Sequence, residues 1–344
     1  MAFLSDVHIG KENNLTFIRL FAALAVIYGH ASAIIPNTKA DWVSRTTGYA
    51  FSGGVAVDLF FLISGFLVTA SIINGGPRHY VISRIARIYP ALWAHLILVT
   101  FILGSVLTKL PLCDYITNNY VWSYFINLAT TSKGAFFLPG VFEDNLNHAI
   151  NGSIWSVLIE VWLYICVLLL YFLGLLKSRA TFNVTFFILI IVFWQNNDLV
   201  PSFFSGATNL HVCFMFFIGS FLFINRHSIS TSPYYLFIAI LLAGITIGTD
   251  RFVYTYILVL VTFFCSTSFS SQFSWMNRFG DYSFGVYLYG WTSQQLIAQE
   301  LPNLSATTQT LISMGLSLLL GMLSWHLIEK RVLRIKNLYI KSDQ

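Results

Sequence analysis

Apolar stretches of about 18 residues or more recur from one end of this sequence to the other, and each is long enough to cross a bilayer as a helix. In hydrocarbon every backbone N–H and C=O must be satisfied within its own segment or in a closed barrel. Barrel strands would be shorter and would alternate polar with apolar residues. The runs here do neither, so the predicted fold is all-α: a polytopic membrane helical bundle. Composition agrees. Of 344 residues, 56% are hydrophobic and 10% are charged, whereas a soluble domain carries about a quarter charged residues. There is too little polar surface to cover a water-soluble globule.

About ten spans are predicted, near residues 14–35, 51–73, 80–107, 153–176, 181–195, 209–225, 233–249, 252–270, 282–299 and 307–328. The stretch 111–152 is ambiguous, because Val121 to Leu128 is apolar but too brief to cross. Near the N-terminus, Lys11, the run Phe17 to Tyr28 and Ala31-Ser32-Ala33 loosely mimic a cleavable secretory signal. The run continues through Ile34-Ile35 and more spans follow, so a retained signal anchor is the better reading. Loop Lys and Arg set orientation. With the N-terminus in the cytosol, fourteen basic residues lie inside: Lys11, Arg19, Arg78, Arg84, Arg87, Lys177, Arg179, Arg226, Arg278, Lys330, Arg331, Arg334, Lys336 and Lys341. Five lie outside: Lys39, Arg45, Lys109, Lys133 and Arg251. Both termini are therefore expected in the cytosol, with Glu143, Asp144, Asp198 and Glu300 outside. No internal repeat or appended soluble domain is apparent, which predicts one membrane domain over 1–344 with its core near 14–332. The net charge of +5 reflects membrane orientation. No basic run is interleaved with exposed aromatics, so nucleic acid is not an expected partner. Cys113, Cys166, Cys213 and Cys265 show no metal spacing, and with only Cys113 in a predicted loop they imply no disulfide framework.

Ionisable residues at membrane depth cost several kcal/mol and are functional candidates. Arg19 and His30 are eleven residues apart, an offset of about 1100°, which places both on one face of the first helix. Singly, a snorkelling Arg and a histidine bonded to a neighbour would explain them; the shared face favours function. Asp58 lies about two turns into the second span, and either an ion pair within the bundle or orientation of His30 would account for it. Gly53, Gly54, Ser64 and Gly65 around it permit close helix approach. Arg84 and Arg87 share a face at the start of the third span. Positive-inside anchoring explains them simply; a phosphate group explains them specifically, since Arg offers a planar fork. Glu160 is about two turns into the fourth span, after Trp155, a candidate interfacial anchor. It needs a partner, and His30 and Arg251 are the expected cations. His95 is read as a bonded core histidine, and His326 and Glu329 as interfacial groups. Two layers result: arginines (Arg19, Arg84, Arg87) toward the cytosol, and His30, Asp58 and Glu160 in the outer half. An anionic cofactor entering from the cytosol would bind the first and present its reactive end to the second.

These pieces resemble the bacterial membrane-bound acyltransferase-3 family, whose members O-acylate surface polysaccharides, peptidoglycan and some secreted small molecules. The matching segments are Arg19-x10-His30, Phe60-Phe61-Leu62-Ile63-Ser64-Gly65-Phe66, Arg84-x-x-Arg87-Ile88-Tyr89-Pro90 and Ser153-Ile154-Trp155-Ser156-x3-Glu160. Asp281-Tyr282-Ser283-Phe284-Gly285-Val286-Tyr287-Leu288 and Ser324-Trp325-His326-Leu327-Ile328-Glu329-Lys330 are also similar, and the likeness spans roughly 14–332. Two features depart. Many members read Tyr-Leu-Trp-His where this chain has Tyr287-Leu288-Tyr289-Gly290, so no histidine role carries over there. Some members append an extracytoplasmic esterase-like domain; none is seen here, so the membrane domain or a separate partner protein must complete any transfer.

The resemblance implies an acyl-CoA donor, commonly acetyl-CoA, with no metal, and a carbohydrate or lipid-linked glycan acceptor in the bacterial inner membrane, in contact with its lipids. The residues fit that chemistry. A neutral His30 can take the acceptor hydroxyl's proton as general base, and Asp58 or Glu160 can fix its tautomer. Arg19, Arg84 and Arg87 would hold the CoA phosphates. No Ser or Cys stands beside a base, which favours direct transfer. Two other classes compete. A transporter or flippase would use intramembrane Asp, Glu and His as a proton relay, but no inverted repeat or matched pair of broken helices is present. A non-catalytic assembly subunit would tolerate loss of His30.

Overall fold

The computed structural model describes residues 3–6, 13–195 and 206–341, and side chains at 6, 193–195 and 341 are excluded from description. Lys11 and Asp198 lie outside the described residues, as does the side chain of Lys341. The described residues are helical, with no β-strand beyond an isolated bridge between Phe3 and Ser230. The helices are α1 (Leu15–Ile34), α2 (Trp42–Thr47), α3 (Ser52–Ile97), α4 (Gly104–Leu107), α5 (Leu112–Ile116), α6 (Asn119–Ala129), α7 (Trp155–Phe172), α8 (Arg179–Gln195), α9 (Ala207–Ile224), α10 (Pro233–Thr246), α11 (Phe252–Thr267), α12 (Ser283–Glu300), α13 (Ala306–Ser324) and α14 (Lys330–Lys341). Two π-helical stretches, Leu98–Leu103 and Trp325–Glu329, extend α3 and α13.

Five helical stretches are long and apolar enough to cross a membrane, and three apolar helices, on α8, α10 and α11, are shorter. Each predicted span coincides with a helix, and the ambiguous stretch 111–152 holds only the short α5 and α6. Large apolar side chains stay exposed on the periphery, among them Phe187 and Ile191 on α8 and Phe237, Leu241 and Ile245 on α10. A water-soluble fold would bury them; a lipid-facing surface leaves them where they are. The protein is a helical membrane protein.

α3 is two arms joined at Gly76, whose φ of 73° and ψ of 173° lie outside the helical region and are open to glycine. Pro77 follows and removes a backbone donor. Contacts with α7 give the arms opposite directions. In the first arm, Phe60 stacks on Tyr287, whose hydroxyl is 2.6 Å from that of Ser156, and Ser64 bonds Glu160 at 2.7 Å. In the second, Tyr80 donates to the Tyr164 carbonyl at 2.8 Å while His95 meets Asn151 at 3.1 Å. The numbering on α7 rises along one arm and falls along the other, so the chain reverses at Gly76. The first arm packs against α9 with backbones nearly touching: a Cβ on Gly65 would collide with the backbone of Phe216, and one on Gly219 with that of Leu62. Van der Waals packing of small residues of this kind drives helix association in lipid. α1 lies between the first arm and α12, and runs parallel to α12.

Candidate active site

A part-buried ion-pair network joins α1, α3, the loop before α12 and the segment after α13. Asp281, in the loop before α12, accepts from Arg19 Nη1 at 2.7 Å and from Arg87 Nη2 at 2.8 Å through the same Oδ2. Arg87 Nη1 also lies 3.4 Å from Glu329 Oε2. Burial alone would raise the Asp281 carboxyl, but Arg19 and Arg87, aided by bonds from Ser283, hold it down to about 2. Two guanidiniums and two carboxylates thus cancel. Sequence reasoning assigned Arg19 and Arg87 to a ligand and gave Asp281 no role. It also placed Glu329 at the interface, whereas the residue is 1% exposed. The π-helical stretch Trp325–Glu329 explains that correction: its i→i+5 turn changes the register expected from an α-helix and directs Glu329 inward.

A cavity of about 420 Å³ lies between both arms of α3, α7, α12 and the C-terminal segment, within the range of small-molecule sites. Arg19, Arg84 and Arg87 all line it, as does Glu160. Arg84 differs from the other two arginines. Its guanidinium sits 5.4 Å from the Tyr164 ring, its Nε is buried without an acceptor, and no carboxylate among the described residues pairs with it. Glu160 does not meet a cation, contrary to expectation; Oε1 accepts from the hydroxyls of Ser64 and Tyr164, each at 2.7 Å. Hydroxyl donors satisfy a carboxylate without the entropic cost of a long basic side chain, and they leave Oε2 with no partner among the described residues. Glu160 therefore joins the arginines in one cavity rather than sharing a layer with His30.

His30 and Asp58 do not line this cavity. Asp58 is 4% exposed and faces α9 and α11: its Oδ2 is 2.8 Å from His211 Nε2 and accepts from Tyr256 Oη at 2.6 Å. Of the two roles foreseen for Asp58, it meets a bundle partner and does not orient His30. His211 was missed, because a lone histidine in an apolar run carries no spacing signal. His30 is half-buried, packed edge-on to Trp291 at 4.8 Å and tilted against Phe51 at 5.4 Å. It makes no hydrogen bond to a described residue. Trp291 is itself fixed by donating to the Ala149 carbonyl at 2.8 Å. Ser156 and Tyr287 also line the cavity. Tyr287 is one turn of α12, about 6 Å of rise, before Trp291. His95 is fully buried and bonded to Asn151, while His326 is exposed. No cluster of three or more metal-binding side chains occurs among the described residues.

The family model described as an acyltransferase domain, acyltransferase-3, matches residues 12–326. An O-acetyl transferase of Shigella phage Sf6 is 28% identical over 346 residues, covering 94% of this chain and 96% of that protein. Nodulation protein 10 of Rhizobium leguminosarum bv. viciae is 27% identical over 171 residues, 45% of this chain and 43% of that protein. An uncharacterized protein of Haemophilus influenzae is 31% identical over 148 residues, 40% of this chain and 57% of that protein. No solved structure is significantly similar. A family match over nearly the whole chain favours an enzyme over the transporter and assembly-subunit readings. The chain belongs to the acyltransferase-3 family and is a membrane acyltransferase.

Proposed function

We propose that this enzyme moves an acyl group, acetyl in the simplest case, from cytosolic acyl-CoA to a hydroxyl of a carbohydrate acceptor such as O-antigen or an exopolysaccharide, at the bacterial inner membrane. The observation that carries this reading is the cavity itself: it joins the unpaired guanidinium of Arg84 to Tyr287 and Ser156, one turn short of the Trp291 that packs on His30. At about 420 Å³ it suits a pantetheine arm, with the nucleotide left at the mouth and the thioester carried beyond it toward His30. The O-acetyl transferase from phage Sf6 supports the acyl group and the oxygen acceptor.

In this mechanism Arg84 holds a donor phosphate by charge-assisted hydrogen bonds. Arg19 and Arg87 add positive potential, but their hydrogen bonds to carboxylates are already made. Glu160 Oε2 accepts an amide N–H of the pantetheine arm. Beyond the cavity, a neutral His30 accepts the proton of the acceptor hydroxyl as its oxygen attacks the thioester carbonyl. The tetrahedral intermediate collapses by breaking the C–S bond, and the departing thiolate takes the proton from the imidazolium. The products are the acyl ester and free CoA. Asp58 acts by holding α3, α9 and α11 together. Both termini lie in the cytosol in this reading, and the single membrane domain performs the transfer.

The test is surface-glycan acetylation in a deletion strain against its parent, with purified enzyme in nanodiscs supplied with radiolabelled acetyl-CoA. Loss of the glycan ester, together with label release that requires the enzyme, is the expected result. Unchanged glycan acetylation overturns the acceptor class; absence of any acetyl-CoA turnover overturns the donor.

A further inference from the structure

We propose that Lys336 of α14 and His79 join Arg84 in a phosphate clamp at the cavity mouth, so that the C-terminal helix selects nucleotide-bearing donors over a bare pantetheine thioester. This rests on the donor reading above, and it adds a helix which that reading leaves idle.

α14 carries Leu333 and Lys336 three residues apart, on one helix face. Both line the cavity, while Arg331, Arg334, Ile335 and Leu338 are exposed. The helix therefore directs one of its basic residues inward and leaves others outside. Lys336 Nζ reaches only the Ser83 hydroxyl, at 3.5 Å, the outer limit of a hydrogen bond. Arg84 Nε and His79 Nδ1 are both buried with no acceptor. The three basic groups sit close enough to act on one another electrostatically. Of the cavity's two carboxylates, Asp281 is paired with Arg19 and Arg87, and Glu160 accepts from Ser64 and Tyr164 through Oε1. Neither pairs with Arg84 or Lys336, and an anion with several acceptor oxygens would bridge the two. Phosphate esters meet that need, with Arg as a planar fork and Lys as a point charge. A nucleotide presents them where the cavity becomes too small for the whole donor. A lipid headgroup carries the same phosphate chemistry, and the test separates the two sources.

CoA and pantetheine are titrated into the full-length protein in phosphatidylcholine nanodiscs, and CoA again with phosphatidylglycerol added. Wild type is compared with Lys336→Ala, Lys336→Arg and, as a control on the same helix, Arg331→Ala. The clamp predicts that Lys336→Ala weakens CoA binding about ten- to a hundredfold and leaves pantetheine binding unchanged. Lys336→Arg restores most of the loss, and Arg331→Ala matches wild type. Equal CoA affinity in Lys336→Ala and wild type overturns the clamp, and a change confined to the phosphatidylglycerol discs reassigns the residue to lipid. An equal loss in Arg331→Ala overturns it too, since bulk helix charge then suffices, and so does an equal loss for pantetheine. Wild type that binds CoA locates any such failure in the clamp alone; wild type that binds neither ligand removes the donor reading itself.

Discussion

The ion pairs around Asp281 and the ring contacts around His30 contrast within one protein. In the first, Arg19, Arg87, Asp281 and Glu329 cancel in charge, and every one of them has a partner. In the second, an imidazole lies between Trp291 and Phe51 with ring contacts and no hydrogen bond to a described residue. His95 in this same protein looks different: it is completely buried and bonded through Nε2 to Asn151, while its Nδ1 has no partner. Polar groups whose role is architectural are satisfied within the fold. Arg84 is left unsatisfied beside the cavity, placed to meet something that arrives. In the proposed mechanism the Asp281 network is scaffold, Arg84 is a binding group and His30 is the base.

The largest expected effect tests the His30 side of that contrast. His30→Ala should reduce transfer about 10²- to 10⁴-fold, the usual worth of a general base. Its melting temperature should stay close to wild type, since no hydrogen bond is lost. Radiolabelled acetyl transfer and thermal unfolding in the same nanodiscs give both numbers. Near-normal turnover would remove the base, and a collapse in stability would make His30 another scaffold residue.

Asp281→Ala tests the opposite side. It leaves two guanidiniums facing each other without the shared carboxylate. Breaking a buried pair by removing one partner costs about 3–5 kcal/mol, so this variant should be the least stable of the set. Arg87→Ala should also unfold more easily, because it strands Glu329 and leaves Asp281 with Arg19 alone. Arg84→Ala should keep its stability and instead raise the apparent KM for acetyl-CoA. If Arg84→Ala and Arg87→Ala behave alike in both assays, the division into scaffold and binding arginines is wrong.

This division also marks where sequence reasoning stopped. The helices were legible because hydropathy and length fix them nearly alone in a bilayer. So was the shared face of Arg19 and His30, since helical geometry makes an eleven-residue spacing nearly eclipsed. Partner choice was not legible. It depends on how distant segments rotate, as when Asp281 meets Arg19 across 262 positions, or Asp58 meets His211 across 153. Depth placed Glu160 beside His30, but rotation aimed it at Ser64 and Tyr164. Two local irregularities hid further changes. A single positive-φ glycine reverses α3, and a π turn moves Glu329 from the surface into the network. Asp281 followed by Ser283 two residues later was the one available signal for the network, because that spacing permits the local side-chain bonds that hold the carboxylate.

A smaller effect comes from Glu160. Glu160→Gln keeps the oxygen that accepts from both hydroxyls but turns Oε2 into an NH2 group. The charge-assisted bond to a donor amide is then lost, about 1.5 kcal/mol, or roughly tenfold in apparent KM for acetyl-CoA. Stability should move little. If kcat falls while KM holds, Glu160 acts in the chemical step, and the boundary between binding and catalytic groups shifts inward.

The smallest effect in the working pH range concerns Asp281 again. Its carboxyl is held down to about 2 in the folded protein, below the usual carboxylate value near 4. A group lowered on folding contributes stability that is complete above its unfolded value and is lost as pH falls through the folded one. Asp281 should therefore add no slope to stability between pH 5 and 8. Its contribution should fade only between about pH 4 and 2. Asp281→Asn cannot ionise, so its melting temperature should start lower at pH 7 and converge on wild type as the acid limb is descended. Parallel curves down to pH 3 would mean that the carboxylate contributes no charge-dependent stability. The network would then be held by packing alone, and the contrast with the ring contacts around His30 would lose its electrostatic basis.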